Sequence, residues 1–386
     1  MQLTEMSNGV RLIVHPRPSV PLVAIYLWVQ TGSVDEHADE HGAAHFLEHM
    51  LFKGTPKRGV GIAAGAIESL GGDLNAFTSH SNTVLHATVE SSGWREALDV
   101  LVDMARNASI QADELERERE VILEEIRGYA SDPDDVLSDQ AQFGCWPNHP
   151  LGRPIVATVE EVKALTLENI VGYWRREWTG RRVILSVAGD VEIAAVQRAA
   201  AELLGDLPRG PERAEIPAPE MPVGPVLQRV NADFESMLVD LSWRVCDLNH
   251  ADAAALEVLA LALGDGPASM IPERLLLRDR MVSDPWAGTT FRAEGGLVSL
   301  GFVPRPGRTA EAVGRTLQEL ERIRADGVDG DVVDRTRAGV LADFLFAAET
   351  VDGLAYEDAW YTANYGNPSA RAAARNDLAR VTAEDI

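Results

Sequence analysis

Only two cysteines, Cys145 and Cys246, occur in the 386 residues, about a hundred positions apart, which excludes a disulfide framework and fits a reducing compartment. No apolar run approaches the ~18 residues of a membrane span, and the opening MQLTEMSNGVRLIV has neither a basic flank nor a cleavable apolar core. The expected location is therefore cytoplasmic, or periplasmic for a form whose leader has been removed. Basic residues are scarce: 35 Lys+Arg face 60 Asp+Glu, a formal charge of −25. That balance argues against nucleic-acid backbones as partners, and is read chiefly as a device for solubility. No membrane partner is expected. What the chain has in quantity is apolar residues, 46% of the total, enough for packed cores in two or three domains and too many for general disorder.

Patterning places strands at 10–14 and 22–29, helices at 40–53 and 62–70, and a hairpin of two strands, 74–79 and 83–89, around the turn-prone His80-Ser81-Asn82. Helical periodicity then runs through 94–106, 113–129 and 159–174, before a strand at 183–187 and a helix at 191–204. Helices mixed with hairpins predict an α+β fold. Residues 205–225 hold six prolines with little periodicity and read as a linker. Beyond it the chain repeats itself in order: Ala44–His49 lines up with Ala253–Val258, and Arg117, Ile122 and Glu125 fall opposite Arg335, Val340 and Asp343. The histidines of the first copy become alanine and valine in the second. The expected organisation is a metal-binding domain over 1–205, a linker over 206–225 and a degenerate repeat over 226–386 without metal ligands. The second copy ends at Ile386 before counterparts of the strand 183–187 and its helices, so a smaller second sheet is expected.

The informative segment is His45-Phe46-Leu47-Glu48-His49. Two histidines four apart on a helix lie about 40° from each other around its axis and one turn apart, so both imidazoles can reach one metal ion. Glu48, on the same side, can reach a metal-held water as general base without being a ligand. A zinc site of this kind needs a third protein ligand. In the acidic stretch 115–125, Glu118 and Glu125 are seven apart and share a helix face, whereas Glu124 points away. Glu125 is assigned as the third ligand and Glu118 as the residue that orients a ligand or tunes the site's charge.

These residues resemble those of the pitrilysin or insulinase family of inverse-zincin metallopeptidases, with similarity to its smaller bacterial members and to the β subunit of the mitochondrial processing peptidase. The resemblance is carried by HFLEHMLFKGT, by GGDLNAFTS with Asn75 and Ala76, by ERERE VILEE with Glu118 and Glu125, and by HPLGRPI. It covers most of the first half, and the second half only by general pattern. It implies two related α+β domains, each a mostly antiparallel sheet packed with helices, and a zinc endopeptidase with one Zn2+ per chain bound by His45, His49 and Glu125. It further implies that Glu48 activates the zinc-bound water, and that the strand holding Asn75 and Ala76 binds the backbone of a peptide or unfolded polypeptide by strand addition.

The family's active members place an arginine and a tyrosine from the second half near the substrate carbonyl. The matching stretch, Leu277–Trp286, keeps Arg278 but has no tyrosine; Arg280 substitutes only after a one-residue shift, and Trp286 has no phenolic hydroxyl. Losing such a donor costs about 2.7–4 kcal/mol. The chain is therefore expected to be the zinc-bearing subunit of a homo- or heterodimer whose paralogous partner supplies the arginine–tyrosine pair. The competing expectation is a noncatalytic assembly subunit of the same fold.

Overall fold

The computed structural model describes residues 1–217, 220 and 224–386; the linker expected over 206–225 lies in part outside the described residues. The first half runs β1 (Gln2–Glu5), β2 (Arg11–Pro16), β3 (Leu22–Val29), α1 (Ala43–Leu51), α2 (Ile62–Ser69), β4 (Asp73–Thr78), β5 (Thr83–Glu90), α3 (Trp94–Asn107) and α4 (Ala112–Tyr129). It continues through α5 (Pro133–Cys145), α6 (Val159–Ala164), α7 (Leu167–Glu177), β6 (Val183–Gly189) and α8 (Ile193–Leu204). The second half holds β7 (Val239–Val245), α9 (Ala253–Gly264), a π-helical segment Pro272–Arg278, β8 (Val282–Arg292), β9 (Gly295–Pro304), α10 (Thr309–Asp326), α11 (Gly330–Phe346), α12 (Val351–Tyr365) and α13 (Ala370–Arg380). Among the described residues no helix is long and apolar enough to cross a membrane.

Two compact units form: residues 1–128, 153–216 and 347–371 in one, and residues 129–152, 217–346 and 372–386 in the other. The first unit is built on a six-stranded sheet in the order β1-β2-β6-β3-β5-β4, antiparallel except for the parallel pair β2 and β6. Its central strand β3, LVAIYLWV, is buried on both faces. Val23, Ile25, Leu27 and Val29 enter the core shared with α1, α3, α4, α7 and α8, while Ala24, Tyr26 and Trp28 pack under α12, against Leu354, Ala355 and Ala359. A continuous apolar run in place of alternation is what a strand covered on both sides requires. The far face is pinned by polar contacts as well: the Tyr26 hydroxyl donates to Asp352 at 3.1 Å and His15 Nδ1 meets Asp358 at 2.7 Å.

The second unit has a three-stranded sheet, β7-β9-β8, antiparallel throughout. This order repeats β3-β5-β4 of the first sheet, and α9 and α11 stand where α1 and α4 stand in the chain order. The smaller second sheet is thus observed, with its core built around Val258, Leu275, Leu300 and Phe302. Cys145 and Cys246 are free and half-buried, and burial, with Asp240 nearby, pushes the Cys145 thiol up to about 11.

Two expected helices need correction. The helix expected over 40–53 starts at Ala43, because Gly42 takes a left-handed conformation with φ of 92°. A Cβ at Gly42 would lie 2.9 Å from the Cβ of Ala157, so the position demands glycine twice over. The helix expected over 159–174 is two helices, α6 and α7. Thr158 with Glu161 and Thr166 with Asn169 each close a capping box, and Leu165 between them is extended. The capping hydrogen bonds compete successfully with continuous periodicity. β1 and α5 had no counterpart among the expected elements.

Candidate metal centre

Four of the first six residues of helix α1, Ala43, Ala44, Phe46 and Leu47, are fully buried, which fixes its rotation and commits His45 and His49 to one direction. The N-terminus of α1 is held by a buried carboxylate. Glu36 Oε1 accepts from the Ala44 amide at 2.8 Å and Oε2 from the Gly42 amide at 3.1 Å, satisfying donors that a helix start leaves open. Burial still dominates, and despite those two bonds it pushes the Glu36 carboxyl up to about 8.

Helix α4 is anchored through Leu115, Ile122 and Leu123, and Glu118 and Glu125 continue the stripe of Leu115 and Ile122 along one helix face, so the same packing presents both carboxylates toward α1. The structure brings His45, His49 and Glu125 together: one ligand atom from each lies within 4.8 Å of the others. His45 Nε2 is 3.5 Å from Glu125 Oε1, and His49 Nε2 is 3.3 Å from Glu125 Oε2. Ligand atoms about 2.0–2.1 Å from a tetrahedral zinc lie about 3.3 Å from each other, so both spacings suit a shared ion. Two imidazoles and one carboxylate are also a donor set suited to catalytic zinc, leaving a fourth position free. The residues present fit the metal.

Glu118, 5% exposed, receives a hydrogen bond from His49 Nδ1 at 2.9 Å and pairs with the Lys53 ammonium. With its proton on Nδ1, His49 turns an Nε2 lone pair toward Glu125. Burial opposes charging His49, but hydrogen bonds to Glu125 and Glu118 outweigh it and raise its pKa. Glu125 is held well below the usual carboxylate range by its hydrogen bonds to His45 first and His49 second. Glu48 lies outside the ligand cluster; its Oε2 accepts from the Thr78 hydroxyl at 2.6 Å. Thr78 ends β4, the edge strand of the sheet, whose other residues include Asn75 and Ala76. Asn75 is exposed and its Oδ1 accepts from the Ala76 amide at 2.8 Å.

Three participants were not foreseen: Thr78, Lys53 and Glu36. Thr78 reaches Glu48 only through strand pairing, Lys53 reaches Glu118 across two helices, and Glu36 acts through backbone amides that carry no residue signature. Glu124 faces solvent and pairs with Arg127. Of the other histidines, His41 Nε2 donates to the Pro154 carbonyl and His80 Nε2 to the Arg153 carbonyl, at 3.0 and 3.2 Å, tying the segment that follows Gly152 to the loops around α1. In the second unit α9 has alanine and valine at the positions of the two histidines, and Arg280 is exposed with a left-handed φ of 52°.

Residues 11–159 match the family described as Insulinase (Peptidase family M16), and residues 164–340 match the Peptidase M16 inactive domain. A protein named an uncharacterized zinc protease of Mycobacterium tuberculosis is 30% identical over 393 residues, covering 99% of this chain and 88% of that protein. The chain belongs to peptidase family M16. Another relative of this M16 chain is a probable mitochondrial-processing peptidase subunit beta of Arabidopsis thaliana, 30% identical over 68% of this chain and 50% of that protein. The fold is shared with a protease from Helicobacter pylori at a TM-score of 0.90 and 21% identity, covering 100% of this chain and 94% of the other. The M16 fold thus extends over both halves of the chain.

Proposed function

We propose that this M16 chain is a zinc-dependent endopeptidase acting on peptides or unfolded segments, with His45, His49 and Glu125 as metal ligands and Glu48 as general base. The observation that carries the reading is the ligand cluster with an adjacent carboxylate, Glu48, held outside it by Thr78. When bound, zinc supplies Lewis acidity that polarises a peptide carbonyl and makes a water acidic enough to be deprotonated near neutral pH. Thr78 occupies Glu48 Oε2 and leaves Oε1 to take the proton of the attacking water and return it to the leaving amine. Glu118 fixes the tautomer of His49. The β4 edge, paired only with β5 among the described strands, offers backbone groups to an extended substrate beside Asn75 and Ala76, a mode that needs little side-chain recognition.

The second unit has no metal ligands at the positions matching His45 and His49, and Leu277–Trp286 has no tyrosine. We assign the chain the role of zinc-bearing subunit of a dimer, its paralogous partner supplying the arginine–tyrosine pair. The test is cleavage of an unstructured peptide mixture, read by mass spectrometry, with the zinc-loaded chain beside its Glu48→Gln variant. Cleavage by the chain that the variant loses establishes a peptidase sufficient by itself and refutes the need for a partner. Cleavage only after a paralogous subunit is added supports the dimer. A folded chain that does not retain zinc refutes the peptidase reading in favour of an assembly role.

A further inference from the structure

Away from the metal centre, the first unit holds a cavity of about 380 Å3 at the end of the sheet where β2 begins and β3 ends. Its lining is at odds with a chain of net charge −25: Arg11, Arg181, Arg182, Arg209 and Arg213 face only Glu5 and Glu212. The partners of these guanidiniums divide them into two groups. Arg182 and Arg213 are neutralised from behind by buried acids, Arg182 by Asp35 and Glu177 at 3.2 and 2.8 Å and Arg213 by Asp35 at 2.9 Å. The other three are not. Arg11 donates to the Thr362 carbonyl at 3.2 Å and to the Gln30 side chain, both neutral, and among the described residues no carboxylate lies in ion-pair contact with it. Burial pulls its pKa down against the opposing charge of Glu5. Arg209 donates to the neutral Ser7 carbonyl at 2.7 Å, and its pair with Glu5 is loose, at 3.8 Å.

Arg181 pairs at 2.5 Å with Glu212, whose side chain is 85% exposed, and its Nε is buried with no hydrogen-bond partner. The stem of Arg181 lies on Gly9, where a Cβ would come within 2.8 Å of Cγ. Gly9, at φ of 91°, lets the backbone cradle this arginine at the cavity wall. A partly desolvated guanidinium served by neutral acceptors costs stability unless an anion compensates it. The arginine fork matches the oxygens of carboxylates and phosphates, often two at a time.

We infer that this cavity binds a small multivalent oxyanion, a polycarboxylate or a phosphate, through Arg11, Arg181 and Arg209, with the rim carboxylates Glu5 and Glu212 turning out to solvent. Asp35 and Glu177 hold the remaining two arginines in place as the cavity's fixed wall.

The test is isothermal titration of the full zinc-loaded chain with inorganic phosphate and, separately, with tricarballylate, at ionic strength held constant with sodium chloride. Saturable binding of one molecule per chain is expected for at least one probe, and which probe binds distinguishes a phosphate site from a polycarboxylate site. Arg209→Gln alters an exposed side chain and keeps the fold, whereas Arg11→Gln removes the guanidinium with no ion pair. Each is expected to weaken binding by about 10-fold, the size of one charge-assisted hydrogen bond. No saturable binding by either probe overturns the inference, as does binding abolished by equivalent chloride. Binding unchanged in a folded Arg209→Gln chain also overturns it, since it places the anion elsewhere, on the metal included.

Discussion

Replacing Glu118 by glutamine isolates the tuning of His49 from its geometry. The amide has the shape of the carboxylate and can still accept from His49 Nδ1 at the observed 2.9 Å, so the ring keeps its orientation and tautomer. What is lost is charge. A hydrogen bond to a charged acceptor contributes about 1.5–3 kcal/mol and one to a neutral acceptor about 0.5–1.5 kcal/mol, a difference of about 1 kcal/mol or a little more. The Lys53 ammonium, which pairs with Glu118, also loses its counter-charge and adds a repulsion toward any cation bound by His49. Together these effects predict zinc binding about 10–100-fold weaker, the range found for groups that hydrogen-bond to metal ligands. The assay is equilibrium competition with a chromophoric zinc chelator at fixed pH, with circular dichroism as the check on folding. A folded variant whose zinc dissociation constant stays within about twofold of the parent, well below that range, refutes the argument that Glu118 acts through His49.

Thr78→Val removes the hydroxyl that holds Glu48 while leaving every ligand in place; kcat for peptide hydrolysis should fall about 10-fold with zinc affinity unchanged, and an equal loss of zinc affinity would contradict the separation of base from ligands. Glu36 gives a pH signature. Its carboxyl is raised from 4.5 to about 8, so the folded chain holds this proton where the unfolded chain has lost it; the associated stability is full below 4.5 and is lost as pH rises through about 8. Urea midpoints of the parent should therefore decline across that window more steeply than those of Glu36→Gln, and parallel slopes would refute the assignment. Arg58→Met breaks a buried pair with Asp103 at 2.6 Å, both side chains at most 10% exposed, and should cost about 3–5 kcal/mol in urea unfolding because it strands a charge. A loss below about 1 kcal/mol would mean that water reaches Asp103.

The clustering of His45, His49 and Glu125, the proposed ligands, could be anticipated from the sequence because an α-helix converts spacing into direction: residues four and seven apart share a face whatever surrounds them. His45 with His49, and Glu118 with Glu125, could be paired on that rule alone. The long apolar run of β3 and the hairpin of β4 and β5 were legible for the same reason, since each strand's pattern reports its own burial. The repeat was readable as matched helices, yet that the second sheet reproduces the β3-β5-β4 order is a property of strand pairing.

Other features had no local signal. The break between α6 and α7 turned on two capping boxes outcompeting a continuous helical period. That α12, from the far end of the chain, covers the outer face of the first sheet could not be inferred from periodicity, because an apolar stripe names no partner. The bond from Thr78 to Glu48 and the convergence of five arginines from separate segments on one cavity likewise arise only when distant segments are packed together. The sequence by itself determined which residues can act together along one element, because backbone geometry is local and periodic. Only the tertiary structure decided which elements meet, because that choice is made by the burial of whole faces and by side chains brought together across large distances in the chain.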